Sequence, residues 1–202
     1  MKHLIKNLIN QGYLKTPQII DAFYKVDRIN FVTENLKADA YINAPLSIGY
    51  GQTISQPLTV AFMLELLQPK EGDKVLDVGS GSGWQSSLLA QIVSGKGKVY
   101  AIERISELFE FGKKNSKKYN FKNLKFILGD GSVGYKKEAP YDKIIVAASA
   151  FEKVPTELMN QLGVGGRLVI PVRNSIWLFI KKENDRYIEK EYPGFVFVPL
   201  IQ

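Results

Sequence analysis

The sequence contains no cysteine and a single histidine, His3, in a chain of 202 residues. The lack of cysteine excludes disulfide bonds, thiolate-bound zinc, iron–sulfur clusters and cysteine nucleophiles. A lone histidine near the N-terminus argues against a histidine general base and against a histidine metal cluster, so we expect no metal ion. Any chemistry on this chain must therefore do without the two commonest catalytic side chains.

Long apolar runs are also missing. The sequence has no stretch of 18 apolar residues, which predicts no membrane span. Residues 1–6 mix charged with apolar side chains and lack the apolar core of a signal peptide. We therefore expect a cytoplasmic protein of one domain spanning residues 1–202. Within it we expect an N-terminal helical and substrate-loop segment at 1–70, a cofactor-binding core at 71–172 and C-terminal strands at 173–202.

The charge balance is basic, with 27 Lys and Arg against 20 Asp and Glu, a net charge of +7. This surplus permits an anionic partner without requiring one. A nucleic-acid surface would usually interleave aromatic residues with basic ones, and the sequence has no clear example, so we do not expect nucleic-acid binding. We interpret the lysine cluster as the solvated face of a helix and its following loop. The cluster comprises Lys113, Lys114, Lys117, Lys118, Lys122 and Lys125.

Hydrophobic periodicity predicts an alternation of strands and helices from residue 74 onward. The predicted helices are 2–11, one beginning at Thr16-Pro17, 58–67, 84–93, 106–119 and 155–162, the last ending at Gly163. The predicted strands are 74–78, 98–102, 124–128, 143–147, 167–172, 176–180 and 195–200. Residues 43–57 read as a glycine- and proline-containing loop. The pattern favours an α/β fold, a mostly parallel doubly wound sheet with an N-terminal helical segment and antiparallel C-terminal strands.

A glycine-rich loop follows the strand predicted at 74–78 and leads into a helix. It runs from Asp77 to Gly83 (DVGSGSG). The dinucleotide pattern G-x-G-x-x-G fails because Trp84 stands where the third glycine is required, and no Gly-Lys-Ser/Thr follows as in a phosphate loop. The loop resembles that of Rossmann-like S-adenosylmethionine-dependent methyltransferases. The cofactor-binding residues predicted in it are Asp77, Gly79, Ser80, Gly81, Ser82 and Gly83.

Two acidic residues end the next two predicted strands. Glu103 can accept both ribose hydroxyls of the cofactor, and Asp130, in Gly129-Asp130-Gly131, can accept the adenine amino hydrogen. Each feature has an ordinary alternative when taken alone: a tight turn for the loop, a surface charge for Glu103 and a turn residue for Asp130. Their occurrence at the ends of three successive strands favours S-adenosylmethionine as cofactor and S-adenosylhomocysteine as product. Asp77 would organise the loop or meet the methionine ammonium group.

The string Gly51–Pro57 (GQTISQP), with the glycine loop, resembles the protein-L-isoaspartate O-methyltransferase family. The resemblance implies a Rossmann-like methyltransferase that repairs isoaspartyl-containing proteins and peptides by methylating their free α-carboxylate. The methyl ester then proceeds to a succinimide. It also implies a modified strand order near the C-terminus, Ser55 as the active-site hydroxyl, and further cofactor contacts from Gln52, Thr53, Ile54, Ser55, Arg104 and Gly131. Further matches are 26–28, 31–32, 46–49, 129–131, 139–142, 161–162, 165–168 and 197–200.

One segment departs from the family pattern. Residues 147–155 lack the early proline that the family carries after the fourth strand of the alternation. Because the resemblance gives this segment a part in shaping the substrate side, the departure concerns peptide recognition more than cofactor binding.

Methylation of a carboxylate suits a chain with so few catalytic side chains. A carboxylate is already ionised at pH 7, so in-line attack on a methyl group needs no general base. The protein must position the carboxylate and remove its water. Ser55 can donate a hydrogen bond to one carboxylate oxygen, although a loop hydroxyl capping the helix that begins near Pro57 is the simpler interpretation without the resemblance.

Other functions fit the sequence less well. An RNA or DNA methyltransferase is favoured only by the +7 charge, and the motif typical of base amino methylation is missing at 147–151. Cytosine C5 methylation needs a cysteine, and catechol methylation usually needs a metal site. A non-catalytic module that only recognises cofactor or isoaspartyl peptide would usually carry an additional partner domain. We expect a monomeric enzyme.

Overall fold

The computed structural model describes residues 1–201. Two short helices open the chain, and a third precedes the first long strand. Three more helices are distributed along the rest of the chain, and short 3₁₀ turns connect several elements. The helices are α1 (Lys2–Asn10), α2 (Pro17–Lys25), α3 (Pro57–Leu67), α4 (Trp84–Val93), α5 (Ser106–Ser116) and α6 (Thr156–Asn160).

A small hairpin and a seven-stranded sheet contain the strands of the described residues. The hairpin pairs β1 (Leu46–Gly49) with β2 (Gln52–Ile54). The sheet has the order β5-β4-β3-β6-β7-β8-β9. Pairing is parallel from β5 to β7 and antiparallel from β7 to β9. The sheet strands are β3 (Lys74–Val78), β4 (Lys98–Glu103), β5 (Leu124–Leu128), β6 (Tyr141–Val146), β7 (Leu162–Val172), β8 (Ser175–Lys181) and β9 (Tyr187–Pro193).

This topology confirms the predicted α/β fold with a mostly parallel sheet and antiparallel C-terminal strands. Strands β7, β8 and β9 lie side by side in chain order, and none of them is inserted between two earlier strands. From β3 the chain first adds β4 and β5 on one side and then β6 and β7 on the other, so the strand order reverses at β3. Ligands in open α/β sheets bind outside the carboxyl ends of the strands at such a switch point.

The core lies on both faces of the sheet, because successive strand residues point to opposite sides. On one face, Val75, Val99 and Ile145 pack against buried residues of α1 to α5. On the other, Leu76 and Tyr100 pack with Leu158 of α6 and with irregular segments of the chain. The helical N-terminal third therefore covers one face of the cofactor-binding core.

The predicted strand at 195–200 is wrong. These residues form no ladder, and Pro199 makes only an isolated bridge to Ser149. The outer strand is β9, which the sequence analysis did not predict because its side chains are mostly polar and exposed. It forms by pairing along the whole of β8, so a neighbouring strand decides its conformation.

Local sequence signals also gave the wrong bounds for several predicted helices and loops. The loop predicted at 43–57 contains the β1–β2 hairpin, whose strands have only four and three residues. The helix predicted at 155–162 ends at Asn160, so Gly163 lies within β7 and does not terminate the helix. Ser106 begins α5 without capping it, because Ile105 occupies the N-cap position. Thr16 does occupy the N-cap position of α2, but its hydroxyl donates to Glu65.

Candidate functional site

A cleft opens at the carboxyl ends of β3 and β4, at the switch point of the sheet. The space between its walls amounts to about 910 Å³ when the open mouth is included. Segments far apart in sequence meet there: the β1–β2 hairpin, the glycine loop and the end of β4. The predicted site residues that line it are Gln52, Thr53, Ile54, Ser55, Gly79, Ser80, Gly81, Ser82, Glu103, Arg104 and Gly131.

The three loop glycines have two different roles. Gly79 and Gly81 line the cleft with φ of +80° and +47°, values that favour glycine. Gly83 does not line the cleft: a Cβ there would lie 2.7 Å from the carbonyl oxygen of Gly112 in α5. The structure therefore gives Gly83 a packing role, because the loop could not approach α5 so closely with a larger residue.

Glu103 ties the glycine loop to the end of β4. Its Oε2 accepts a hydrogen bond from the Gly81 N–H at 2.9 Å. Its Oε1 accepts from the N–H groups of Arg104 at 2.8 Å and Ile105 at 3.0 Å. A carboxylate oxygen accepts about two hydrogen bonds, so Oε2 is the freer oxygen for a ligand hydroxyl. The carboxylate thus shapes the loop in addition to facing the cleft.

Asp77 lies behind the cleft. It is completely buried, and its carboxylate accepts hydrogen bonds from Gln85 Nε2 at 2.7 Å and from Ser86 Oγ at 2.5 Å. Burial raises the pKa of Asp77 to about 6, with repulsion from Glu103 adding to the rise and the two hydrogen bonds opposing it. Asp77 therefore links the end of β3 to the first turn of α4, in line with the loop-organising alternative proposed for it.

Asp130 and Gly131 follow β5. The Asp130 carboxylate accepts the Ser132 N–H at 2.8 Å and begins a 3₁₀ turn. Asp130 is exposed and does not line the cleft, whereas Gly131 does. A Cβ on Gly131 would collide with Val78 Cγ1, so this glycine allows the turn to approach the end of β3. Gln161 supports the same turn by hydrogen bonds to Val133 and Tyr135.

The β1–β2 hairpin and the residues after it form the opposite side of the cleft. Ser55 is half-buried and lines the cleft directly after β2. It does not cap α3, because Gln56 is the N-cap residue and makes no side-chain cap bond. The N–H of Leu58 is instead accepted by Asn43 Oδ1 at 3.0 Å. This arrangement removes the simpler interpretation of Ser55 as a helix cap.

Arg28 also belongs to this side, although no sequence signal predicts it. Arg28 is completely buried, and its guanidinium donates to the carbonyl oxygens of Ala40, Ile42, Ala44 and Ser55. Burial lowers its pKa to about 10, so it remains protonated at neutral pH. Since it follows Asp27, the local sequence resembles an exposed charged pair, and no periodicity signal marks the arginine as buried.

Residues after β6 and near the C-terminus complete the cleft. Ala147 and Ala148 line it together with the segment 198–201. Ser149 joins the two segments, because its N–H donates to Val198 O at 2.7 Å and its carbonyl accepts the Leu200 N–H at 2.8 Å. The segment 147–155, which departs from the family pattern, therefore begins at the cleft wall. Phe151, within this segment, is 85% exposed.

The cleft suits a ligand that combines an extended polar part with an apolar part. Ser80 Oγ is buried in the cleft lining and, within residues 1–201, has no hydrogen-bond partner. The loop N–H groups, Glu103 and Ser80 supply polar contacts, while Ile48, Ile102 and Leu108 supply apolar ones. Because buried polar groups are normally satisfied, the orphan hydroxyl indicates a site built for a polar ligand. These residues fit S-adenosylmethionine.

Three other sequence predictions concern features away from the cleft. Five of the six clustered lysines are exposed and the sixth, Lys113, lies over the ring of Phe109, as expected for a solvated face. In residues 1–201, no group of three or more His, Asp or Glu residues could hold a metal ion. None of the helices in this part of the chain is long and apolar enough to cross a membrane.

Comparisons with known proteins agree on one family. The family model described as protein-L-isoaspartate(D-aspartate) O-methyltransferase matches residues 1–202. A protein-L-isoaspartate O-methyltransferase of Ignicoccus hospitalis is 45% identical over 205 residues, covering 100% of this chain and 97% of the relative. One of Pyrococcus abyssi is also 45% identical, covering 99% and 94%.

Solved structures give the same result. A Plasmodium falciparum chain described as a protein-L-isoaspartate O-methyltransferase, in complex with S-adenosyl-L-homocysteine, superposes with a TM-score of 0.87 at 28% identity. The alignment covers 99% of this chain and 97% of the Plasmodium chain. A second protein-L-isoaspartate O-methyltransferase superposes with a TM-score of 0.90 at 27% identity, covering 100% of this chain and 66% of the other.

Proposed function

Because the chain belongs to the protein-L-isoaspartate(D-aspartate) O-methyltransferase family, we propose that it methylates isoaspartyl residues in damaged proteins and peptides. The methyl donor is S-adenosylmethionine, and the acceptor is the free α-carboxylate of the L-isoaspartyl residue. The observation that carries this proposal is the meeting of the glycine loop, Glu103 and Ser55 in one cleft. The methyl ester then collapses to a succinimide, which can reopen as aspartate.

The cofactor, when bound, supplies an electrophilic methyl group on a sulfonium. On the protein side, Gly79 and Gly81 keep the loop backbone open to a close approach, because a side chain at either position would enter the cleft or strain the backbone. Glu103 holds that backbone in place and offers its Oε2 to a ribose hydroxyl. Ser80 offers a hydroxyl that has no hydrogen-bond partner among residues 1–201.

The acceptor carboxylate needs orientation and no deprotonation. A carboxylate is ionised at pH 7, so its oxygen can attack in line with the departing sulfur without a general base. Ser55 is the residue that we assign to this step: its hydroxyl donates a hydrogen bond to one carboxylate oxygen and directs the other toward the methyl group. Its place beside Thr53 and Ile54 in the cleft lining supports the assignment.

The activity is tested with two peptides that differ only in an isoaspartyl or an aspartyl residue. We expect methyl ester formation, or the methanol that the ester releases, on the isoaspartyl peptide alone. Equal methylation of both peptides, or of neither, would contradict the proposed acceptor.

The role of Ser55 is tested by Ser55→Ala. We expect kcat/KM for the isoaspartyl peptide to fall about tenfold or more, since one hydrogen bond to a charged group is lost, with the affinity for S-adenosylhomocysteine largely intact. Ser47→Ala is the matched control, because Ser47 is an exposed serine of the same hairpin that does not line the cleft. Full turnover in Ser55→Ala would remove Ser55 from the mechanism.

A monomeric, single-domain, cytoplasmic enzyme remains part of the proposal. Size-exclusion chromatography with light scattering tests the oligomeric state, and a fluorescent fusion in the source cell tests the location.

A further inference from the structure

We propose that Arg28 is a positioning residue that fixes the acceptor side of the cleft by holding the main chain around Ser55. The inference rests on the proposed function for its kinetic consequence, since Ser55 is the residue assigned to the acceptor carboxylate. Arg28 itself does not line the cleft. It acts through the backbone of the segment 40–55, which we call the acceptor segment.

Four hydrogen bonds connect one guanidinium to the two ends of the acceptor segment. Nη1 donates to the carbonyl oxygens of Ala40 at 2.8 Å and Ile42 at 3.2 Å. Nη2 donates to Ala44 at 3.0 Å and Ser55 at 3.2 Å. The β1–β2 hairpin lies between these contacts, so the arginine closes the base of the loop that presents Ser55. A planar fork with fixed donor directions suits such a task better than a single ammonium group.

The charge of Arg28 has no carboxylate partner within residues 1–201. The ion pairs found there involve other residues, and the carboxylate of the adjacent Asp27 accepts from Ile29 and Tyr41. A buried cation without a counter-ion is costly unless its surroundings compensate it, and here main-chain carbonyls compensate Nη1 and Nη2, while Nε has no hydrogen-bond partner within residues 1–201. A hydrophobic residue could fill the space without that cost, so the retained charge indicates a task beyond packing.

Trp84 holds the same guanidinium through its aromatic ring. The Arg28 guanidinium carbon lies 5.5 Å from the centre of the Trp84 ring, a cation–π arrangement. Trp84 in turn donates from Nε1 to the carbonyl oxygen of Val26 at 3.2 Å and begins α4 directly after the glycine loop. The arginine therefore has one defined position, set by its own chain neighbours and by α4.

The cofactor side of the cleft is held by other contacts. Glu103 binds the glycine loop through main-chain N–H groups, and Asp77 binds the start of α4 through side chains. None of these hydrogen bonds involves the acceptor segment. Loss of the Arg28 fork should therefore disturb Ser55 and the acceptor more than cofactor affinity, which rests chiefly on the glycine loop and Glu103. A general loss of folding would reduce both.

The test is Arg28→Lys, which keeps the positive charge and removes the fork. We expect kcat/KM for the isoaspartyl peptide to fall about tenfold or more, chiefly through KM, with a much smaller change in S-adenosylhomocysteine affinity by calorimetry. Arg167→Lys is the matched control: Arg167 also donates to a main-chain carbonyl, that of Leu66, at 2.8 Å, and does not line the cleft. It should lower thermal stability without changing KM.

A double-mutant cycle with Ser55→Ala tests whether Arg28 acts through Ser55. If it does, Arg28→Lys costs much less in the Ser55→Ala background than in the wild type. Additive losses, or an unchanged KM in a folded Arg28→Lys variant, would overturn the proposal. So would a loss of S-adenosylhomocysteine affinity that parallels the rise in KM.

Amide hydrogen exchange separates this proposal from the proposed function. In Arg28→Lys, peptides from the acceptor segment should exchange faster while peptides covering 98–105, which include Glu103, should not, whether or not the wild type methylates isoaspartyl peptides. Equal protection of the acceptor segment in Arg28→Lys and in the wild type would refute the positioning role. Should Arg28→Lys not fold, Asn43→Ala loosens the same segment at an exposed residue by removing its bond to Leu58. A raised KM there supports the proposal, and an unchanged KM overturns it.

Discussion

Replacing Gly112 with alanine tests how closely the glycine loop depends on α5. Gly112 lies in the middle of α5, where alanine would ordinarily stabilise the helix by about 1 kcal/mol. A Cβ at this position would instead lie 2.6 Å from the carbonyl oxygen of Gly81 and 3.2 Å from the Gly83 nitrogen. Both are main-chain atoms, so the loop or the helix must shift as a whole.

The repulsion should exceed the helix gain. Overpacking costs about 1–3 kcal/mol, and we expect the higher end because backbone yields less readily than side chains. Subtracting the helix gain leaves a net loss of about 1–2 kcal/mol. For a chain of this length, that lowers Tm by about 2–8 °C. Because the displaced atoms belong to the cofactor loop, affinity for S-adenosylhomocysteine should also fall, although Gly112 does not line the cleft.

Differential scanning calorimetry and isothermal titration with S-adenosylhomocysteine measure the two effects. Gly95→Ala is the control, because a Cβ on Gly95 meets nothing within 4 Å. Its Tm should stay constant or rise slightly, and its ligand affinity should not change. A Gly112→Ala protein with wild-type Tm and wild-type affinity would refute the proposed close packing of loop and helix.

Two further predictions concern the cofactor side. Gly79→Val should abolish S-adenosylhomocysteine binding in calorimetry because the side chain enters the cleft, whereas Gly72→Val, with a similar φ of +88° and open surroundings, should cost stability alone; retained binding in Gly79→Val would contradict this. For Asp77, the raised folded pKa means that its contribution to stability is largest below about pH 4 and is lost as the pH rises through 6. Relative to Asp77→Asn, wild-type stability in urea titrations should therefore fall by about 3 kcal/mol between those pH values, at about 1.4 kcal/mol per pH unit; a constant difference would exclude the shift.

The core of the fold could be predicted because its signals are local. Strands β3 to β6 are short runs rich in apolar residues, and their predicted bounds lie within two residues of those found. The hairpin and β9 could not be predicted in this way. The strands of the hairpin are too short to show periodicity. The side chains of β9 are mostly exposed and show little alternation of apolar and polar residues, so its conformation depends on pairing with β8.

The site shows the same division. The glycine loop and Glu103 could be located because each directly follows a predictable strand, and the carboxyl ends of neighbouring parallel strands must meet. The packing role of Gly83 could not be predicted, because it depends on Gly112, which is 29 residues away in sequence and has no motif. Arg28 was missed for a related reason: its partners are carbonyl groups, which every residue carries, so no sequence pattern announces them.

Two buried charged residues, Glu103 and Arg28, hold the main chain on the two sides of the cleft. Glu103 accepts from three main-chain N–H groups on the cofactor side, and Arg28 donates to four main-chain carbonyls on the acceptor side. Such a division suits a reaction in which the nucleophile arrives ionised and the electrophile arrives with the cofactor. What the protein then controls is the distance and angle between two bound molecules, to which reaction rates are highly sensitive. The scarcity of histidine and cysteine agrees with the proposed reaction, which requires no proton transfer from the acceptor carboxylate.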